Sequence, residues 1–345
     1  MTEQQKHSSQ SEPKVLVEAQ NLKKYFPIQT NISDTLFSRN VKYVRAVDGV
    51  SFKIHAGEVF GLAGESGSGK TTIGRLVLGL EEATEGKVIF NGVDLTALKP
   101  SELRSMRHLM QVIFQDPMAS LNPRMTIGEA IGHGLKIHKL GSKEEIQEMI
   151  FQILERVGLN PPSYFYNKFP HQISGGQRQR VVIARALVTN PILVLADEPI
   201  AMADVSVRVL LLDLMVKLKQ ELDLTYLFIT HDLATAKYIC DKIGILYLGK
   251  FAEMGNLREV YRKPLHPYTQ ALLAAVPVPD PTEKRTQEMP EGEIPNPIDP
   301  PSGCRFHPRC GFAQGRCSEE EPELRELLPD HFVACHFAED FLEKK

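Results

Sequence analysis

Gly64-Glu65-Ser66-Gly67-Ser68-Gly69-Lys70-Thr71 fits the pattern G-x-x-x-x-G-K-[ST] at every fixed position. Glycines in such a loop let backbone N–H groups turn inward toward phosphate oxygens. Lys70 supplies a point charge for the β- and γ-phosphates of a nucleotide, and the Thr71 hydroxyl can ligate Mg²⁺. Thr72 follows in the first turn of a helix whose positive end lies at the same spot.

A second stretch, Ile192–Pro199 (ILVLADEP), ends an apolar run on two adjacent acids, Asp197 and Glu198. Buried acids are costly unless a cation or a hydrogen-bond network satisfies them. Behind a phosphate loop, Asp197 suits indirect Mg²⁺ coordination, and Glu198 suits a general base facing the γ-phosphate. His231 follows a further apolar run, YLFIT.

These groups need a scaffold that gathers them. Glu58–Leu62 reads as a short strand running into the Gly-rich turn, and Thr71–Leu80 as a helix, which is the setting a phosphate loop requires. Strands are expected in VLVEAQNL and VSFKI near the start, and at Pro191–Asp197, Tyr226–Thr230 and Ile243–Leu248. Glu102–Gly158 is mostly helical in pattern, with helices around Ile127–Lys136 and Lys143–Val157. Alternating helices and strands imply an α/β core with parallel strands.

The whole chain narrows the classes. Its 345 residues are 42% apolar and 24% charged, the balance of a globular protein. A net charge of −3 gives no global pull toward nucleic acid, so none is expected as a partner. No run reaches the roughly 18–20 apolar residues of a spanning helix, so any membrane role is expected to come through partners. Residues 1–14 read as a disordered polar tail. Residues 277–301 hold eight prolines and read as a stiff linker.

Between the two acidic and Gly-rich motifs lies Ile173-Ser174-Gly175-Gly176-Gln177, a second anion-binding nest at the start of a helix. With it, residues 15–260 resemble the ATPases of ABC transporters. The resemblance implies a P-loop NTPase core with an antiparallel β-subdomain, a helical subdomain over about 116–180 and, beyond residue 260, a small Cys-rich extension. It implies a head-to-tail dimer in which Ser174, Gly175, Gly176 and Gln177 act in trans on ATP held by the other subunit. Gln115, in VIFQDP, matches the glutamine that touches Mg²⁺ and relays to the membrane partner. His231 matches the switch histidine at the γ-phosphate, and Asp204 the aspartate of the dimer seam. Phe26 stands where the family stacks an aromatic ring on adenine, with Tyr25 as its rival. The family's T-S-A-L-D is here Ile200-Ala201-Met202-Ala203-Asp204, so the seam lacks its serine.

FQDPMASLNPR (114–124) and HPYTQALLAAVPVPDP (266–281) resemble the ATPases of dipeptide/oligopeptide importers. That implies a paralogous ATPase or a second copy as partner, two transmembrane permease subunits, an extracytoplasmic binding protein reached through them, and a peripheral place on the cytoplasmic face. Cys304, Cys310, Cys317 and Cys335 crowd the tail at C-x5-C-x6-C-x17-C. Four thiolates suit either Zn²⁺ or an iron–sulfur cluster, free thiols are the remaining reading, and the resemblance implies a 4Fe-4S cluster. Two other classes share these motifs: an ABC ATPase of DNA maintenance, against which the compact motif spacing speaks, and a non-hydrolysing regulator, against which Lys70, Gln115, Glu198 and His231 speak.

Overall fold

The computed structural model describes residues 14–28, 41–276 and 292–343. The tail expected over 1–14 lies almost wholly outside the described residues, as do 277–291 of the Pro-rich linker. β1 (Val15–Pro27) and β2 (Tyr43–His55) form an antiparallel ribbon. In β2, Val50, Phe52 and Ile54 are buried while Gly49, Ser51 and Lys53 are exposed, the period-2 pattern of a sheet with one face on the core. β3 (Val59–Ala63) is buried at every position, as a central parallel strand must be. β4 (Glu85–Phe90) and the short β5 (Val93–Asp94) complete a four-stranded sheet in the order β2-β1-β4-β5.

The larger sheet collects β6 (Met110–Ile113), β7 (Leu193–Asp197), β8 (Thr225–Ile229), β9 (Lys242–Tyr247), β10 (Lys250–Asn256), β11 (Arg325–Leu328) and β12 (His331–Val333). With β3 it has eight strands among the described residues, ordered β11-β12-β10-β9-β3-β8-β7-β6. The block from β9 to β6 is parallel, and β10, β12 and β11 add to its edge antiparallel. One apolar layer, with Phe52 stacked on Phe60 at 5.2 Å between centroids, joins the two sheets. A second lies under the helices Ile127–His138, Lys143–Arg156 and Gly175–Leu187. The first two start on reciprocal caps, Thr126 with Glu129 and Ser142 with Glu145, which is why their beginnings stand out in the sequence.

Two features depart from the sequence reading. Met110–Ile113 is a strand inside a stretch read as mostly helical; four residues paired only to β7 are too short to give a period-2 signal. The end of the chain is a continuation of the main sheet: Glu253 in β10 pairs with Val333 in β12. Glu253 is fully buried, and its two oxygens accept from the backbone N–H of Leu265 (2.8 Å) and His266 (2.9 Å) and lie 2.7 Å from His331 Nε2.

That continuity removes the argument for a metal staple in the tail, and the expectation of a 4Fe-4S cluster, or of Zn²⁺, is corrected. Cys304, Cys310, Cys317 and Cys335 are free thiols lining one small cavity with Phe306 and Phe337. Among the described residues, no group of three or more His, Cys, Asp or Glu side chains is placed to hold a metal ion. Burial pushes the Cys304 thiol up to about 11 and Cys335 up to about 12. Packing against the core and strand pairing hold the tail instead.

Candidate nucleotide site

The site assembles at the carboxyl ends of β3, β7 and β8, where open α/β sheets bind ligands. β3 delivers residues 64–69 into the helix Lys70–Val77, whose Ile73, Leu76 and Val77 anchor it in the core. Two glycines are dictated by space and torsion. Gly64 has φ 145°, and a Cβ there would meet the Leu246 carbonyl oxygen at 2.2 Å; Gly69 has φ 105° and would meet that of Ala46 at 2.3 Å. The loop is thus pressed onto the backbone of β2 and β9, with Ser66 and Gly67 exposed at its tip.

Lys70 is buried, and its ammonium donates to the carbonyls of Gly64 and Glu65, each at 2.8 Å, and to Ser68 Oγ at 3.3 Å. Burial lowers its pKa, while the charges of Glu198, Asp197 and Glu65 oppose that shift. Thr71 Oγ1 donates to Asp197 Oδ1 at 3.3 Å. Burial raises the Asp197 carboxyl, and the Thr71 hydrogen bond counters it. A hydroxyl and a carboxylate side by side are oxygen donors of the kind Mg²⁺ takes, so the residues present fit that ion.

Beside them, Glu198 accepts from Gln115 Nε2 at 2.8 Å, and its other oxygen lies 3.1 Å from His231 Nδ1. Its backbone has φ 48°, a left-handed conformation that costs a non-glycine residue about 1–2 kcal/mol. Strain of that sort gathers at functional positions. The structure therefore brings together Gly64 through Thr71, Gln115, Asp197, Glu198 and His231. Thr72 sits in the next helical position, half-buried.

Other sequence-derived candidates lie apart from this cluster. Ser174 caps the helix Gly175–Leu187 in a reciprocal box with Gln177, and it is exposed. Gly175, Gly176, Asp204, Met202 and Met118 line one surface groove. Gln179 Nε2 donates to the Pro199 carbonyl, tying the nest to the turn after Glu198. Asp204 precedes the helix Val205–Leu222 and is exposed. On β1, the Tyr25 hydroxyl donates to Asp48, and burial, with that hydrogen bond second, pushes its pKa up to about 12. Phe26 is half-buried, with the Lys24 ammonium 5.0 Å from its ring centre.

Sequence reasoning missed the groups that hold the loop from behind. The Glu65 N–H donates to Tyr268 Oη at 2.9 Å, and the Glu65 carboxylate is paired with Arg309. Tyr268 belongs to the HPYT stretch, where only a capped helix was legible; Arg309 carried no local signal.

A phosphate loop, an acidic pair at the end of a parallel strand two places along the same sheet and a second Gly-rich nest on a separate helix define an ATP-binding cassette. Residues 47–201 match the family model described as ABC transporter, and residues 252–317 match oligopeptide/dipeptide transporter, C-terminal region. The oligopeptide transport ATP-binding protein AppF of Bacillus subtilis is 47% identical over 93% of this chain and 97% of its own length. The putative oligopeptide transport ATP-binding protein YkfD of the same organism is 49% identical over 85% and 89%. Among solved structures, the dimeric, ADP- and Pi-bound cassette MJ0796 is 30% identical with a TM-score of 0.61, covering 70% of this chain and 99% of that one. The cassette cbiO1 of Clostridium perfringens is 25% identical with a TM-score of 0.61, covering 72% and 92%. The chain belongs to the ABC transporter family, as an ATPase subunit that couples ATP hydrolysis to transport. No helix among the described residues is long and apolar enough to cross a membrane.

Proposed function

We propose that Glu198 is the base of an ATP hydrolysis that drives peptide import. The observation that supports this reading is its carboxylate, bridging Gln115 and His231 beside the phosphate loop. In this reading, the N–H groups of residues 64–72 and Lys70 hold the phosphates, and Phe26 faces the adenine. Thr71, Gln115 and Asp197 would hold Mg²⁺, which would screen the charge of the phosphate oxygens. Glu198 takes a proton from the attacking water as its oxygen bonds to the γ-phosphorus and the bond to the ADP oxygen breaks. His231 orients that carboxylate and touches the γ-phosphate.

Ser174, Gly175, Gly176 and Gln177 cover the γ-phosphate of a partner ATPase, either a paralogue or a second copy, with Asp204 at the seam. The exposed nest supports action across a dimer: its bonds within the chain are those of a helix cap. The chain sits peripherally on the cytoplasmic face of two transmembrane permease subunits, and an extracytoplasmic binding protein completes the transporter. Peptide as cargo rests on the relatives' names and on the matched C-terminal region. Uptake of a labelled oligopeptide, measured in cells whose own copy is replaced by wild type or by Lys70→Ala, tests the proposal. Uptake lost in the variant supports it; equal uptake in both would refute it.

A further inference from the structure

The C-terminal segment reaches back to the nucleotide loop at two points. Arg309 donates to Glu65 through a fork, Nη1 to Oε2 at 2.7 Å and Nη2 to Oε1 at 3.1 Å. The arginine side chain is only 7% exposed and the glutamate 22%, so the pair is largely shielded from water. Tyr268 accepts the N–H of the same Glu65. Four positions before Arg309, Arg305 pairs with Asp48 and donates to the Leu248 carbonyl. Gly249, next in that turn, donates its N–H to the Ser68 carbonyl at 2.9 Å. Tyr247, Tyr268 and Phe306 pack ring against ring between these contacts, at 4.7 to 5.3 Å.

A carboxylate inside a phosphate loop opposes the anion the loop must hold, at a range where a unit charge matters. We propose that Arg309 is a positioning residue for ATP: it neutralises Glu65 and draws its side chain to the back of the loop, keeping the N–H cradle shaped for phosphate. Tyr268 holds the backbone of the same residue, and Arg305 braces the turn beneath Ser68. The C-terminal segment thus sets nucleotide affinity. This inference rests on the reading of residues 64–71 as the ATP loop.

Titration calorimetry of the purified full chain with MgATP, beside a thermal melt, tests it. Arg309→Gln weakens MgATP about tenfold, the scale of one uncompensated charge near the site, and adding Glu65→Gln to that variant returns affinity toward wild type. Arg309→Lys keeps the charge without the fork and loses less, giving the same reading if the Gln variant does not fold. A lower melting point with unchanged affinity would make Arg309 a structural staple and overturn the proposal. So would a double variant no tighter than Arg309→Gln. Lys70→Ala is the control: unaltered binding there would sink the site itself, whereas loss there beside normal binding in Arg309→Gln sinks only the clamp.

Discussion

His331 Nε2 stands 2.7 Å from an oxygen of Glu253, 78 positions earlier in the chain, and both side chains are closed to solvent. The contact sits where β12 joins β10, so it fastens the last part of the chain to the ATPase sheet. Glu253 also takes the N–H groups of Leu265 and His266, which lead into the helix Pro267–Ala274.

Removing Glu253 therefore orphans three buried donors at once. Glu253→Ala is expected to cost about 3–5 kcal/mol, the range for breaking a buried charged network by deleting one partner. The check is a fall in the urea midpoint together with faster proteolysis after residue 292. An unchanged midpoint would mean that the tail is held elsewhere.

His266 gives a pH dependence with a definite sign. Its ring is buried, Nδ1 accepts the Tyr268 N–H at 3.0 Å, and burial lowers its pKa from 6.5 to about 3. The unfolded chain binds a proton there near pH 6.5 while the folded chain does not. The contribution is thus fully present above that pH and is lost as pH falls from 6.5 toward 3. Between pH 7.5 and 5.5 the wild type is expected to lose roughly 1.3 kcal/mol more than His266→Asn, which keeps a cap acceptor but does not titrate. Equal losses in urea melts would contradict the assignment.

What could be read from sequence was local. The phosphate loop, the acids closing β7 and the capped helices each carry their cause within a few residues. The seat of β6 could not be read, because its four residues owe their state to β7. Nor could the tail: its crowded cysteines and the family resemblance suggested a metal, while the stabilising contacts join Glu253 to His331 and Glu65 to Arg309, the latter 244 positions apart. Periodicity and spacing cannot register contacts of that kind.

Action of Ser174 in trans has its own outcome. In an ATPase heterodimer with separately labelled subunits, Ser174→Arg in this chain is expected to silence the site built on the partner's phosphate loop. Nucleotide binding at Lys70 of this chain is expected to persist. Photo-crosslinking with an azido-ATP distinguishes the two sites, and loss of labelling at this chain's own loop would place the nest in cis.

Turnover by Glu198→Gln in the assembled transporter tests most directly whether this carboxylate activates the attacking water. The variant keeps the hydrogen bond to Gln115 in prospect and removes the basic oxygen. MgATP binding is expected to be retained, the ATPase dimer to stay closed, and steady-state phosphate release to fall by about 100-fold or more, the usual share of a general base. Phosphate release at the wild-type rate would contradict the assignment of Glu198 and with it the mechanism built on β7.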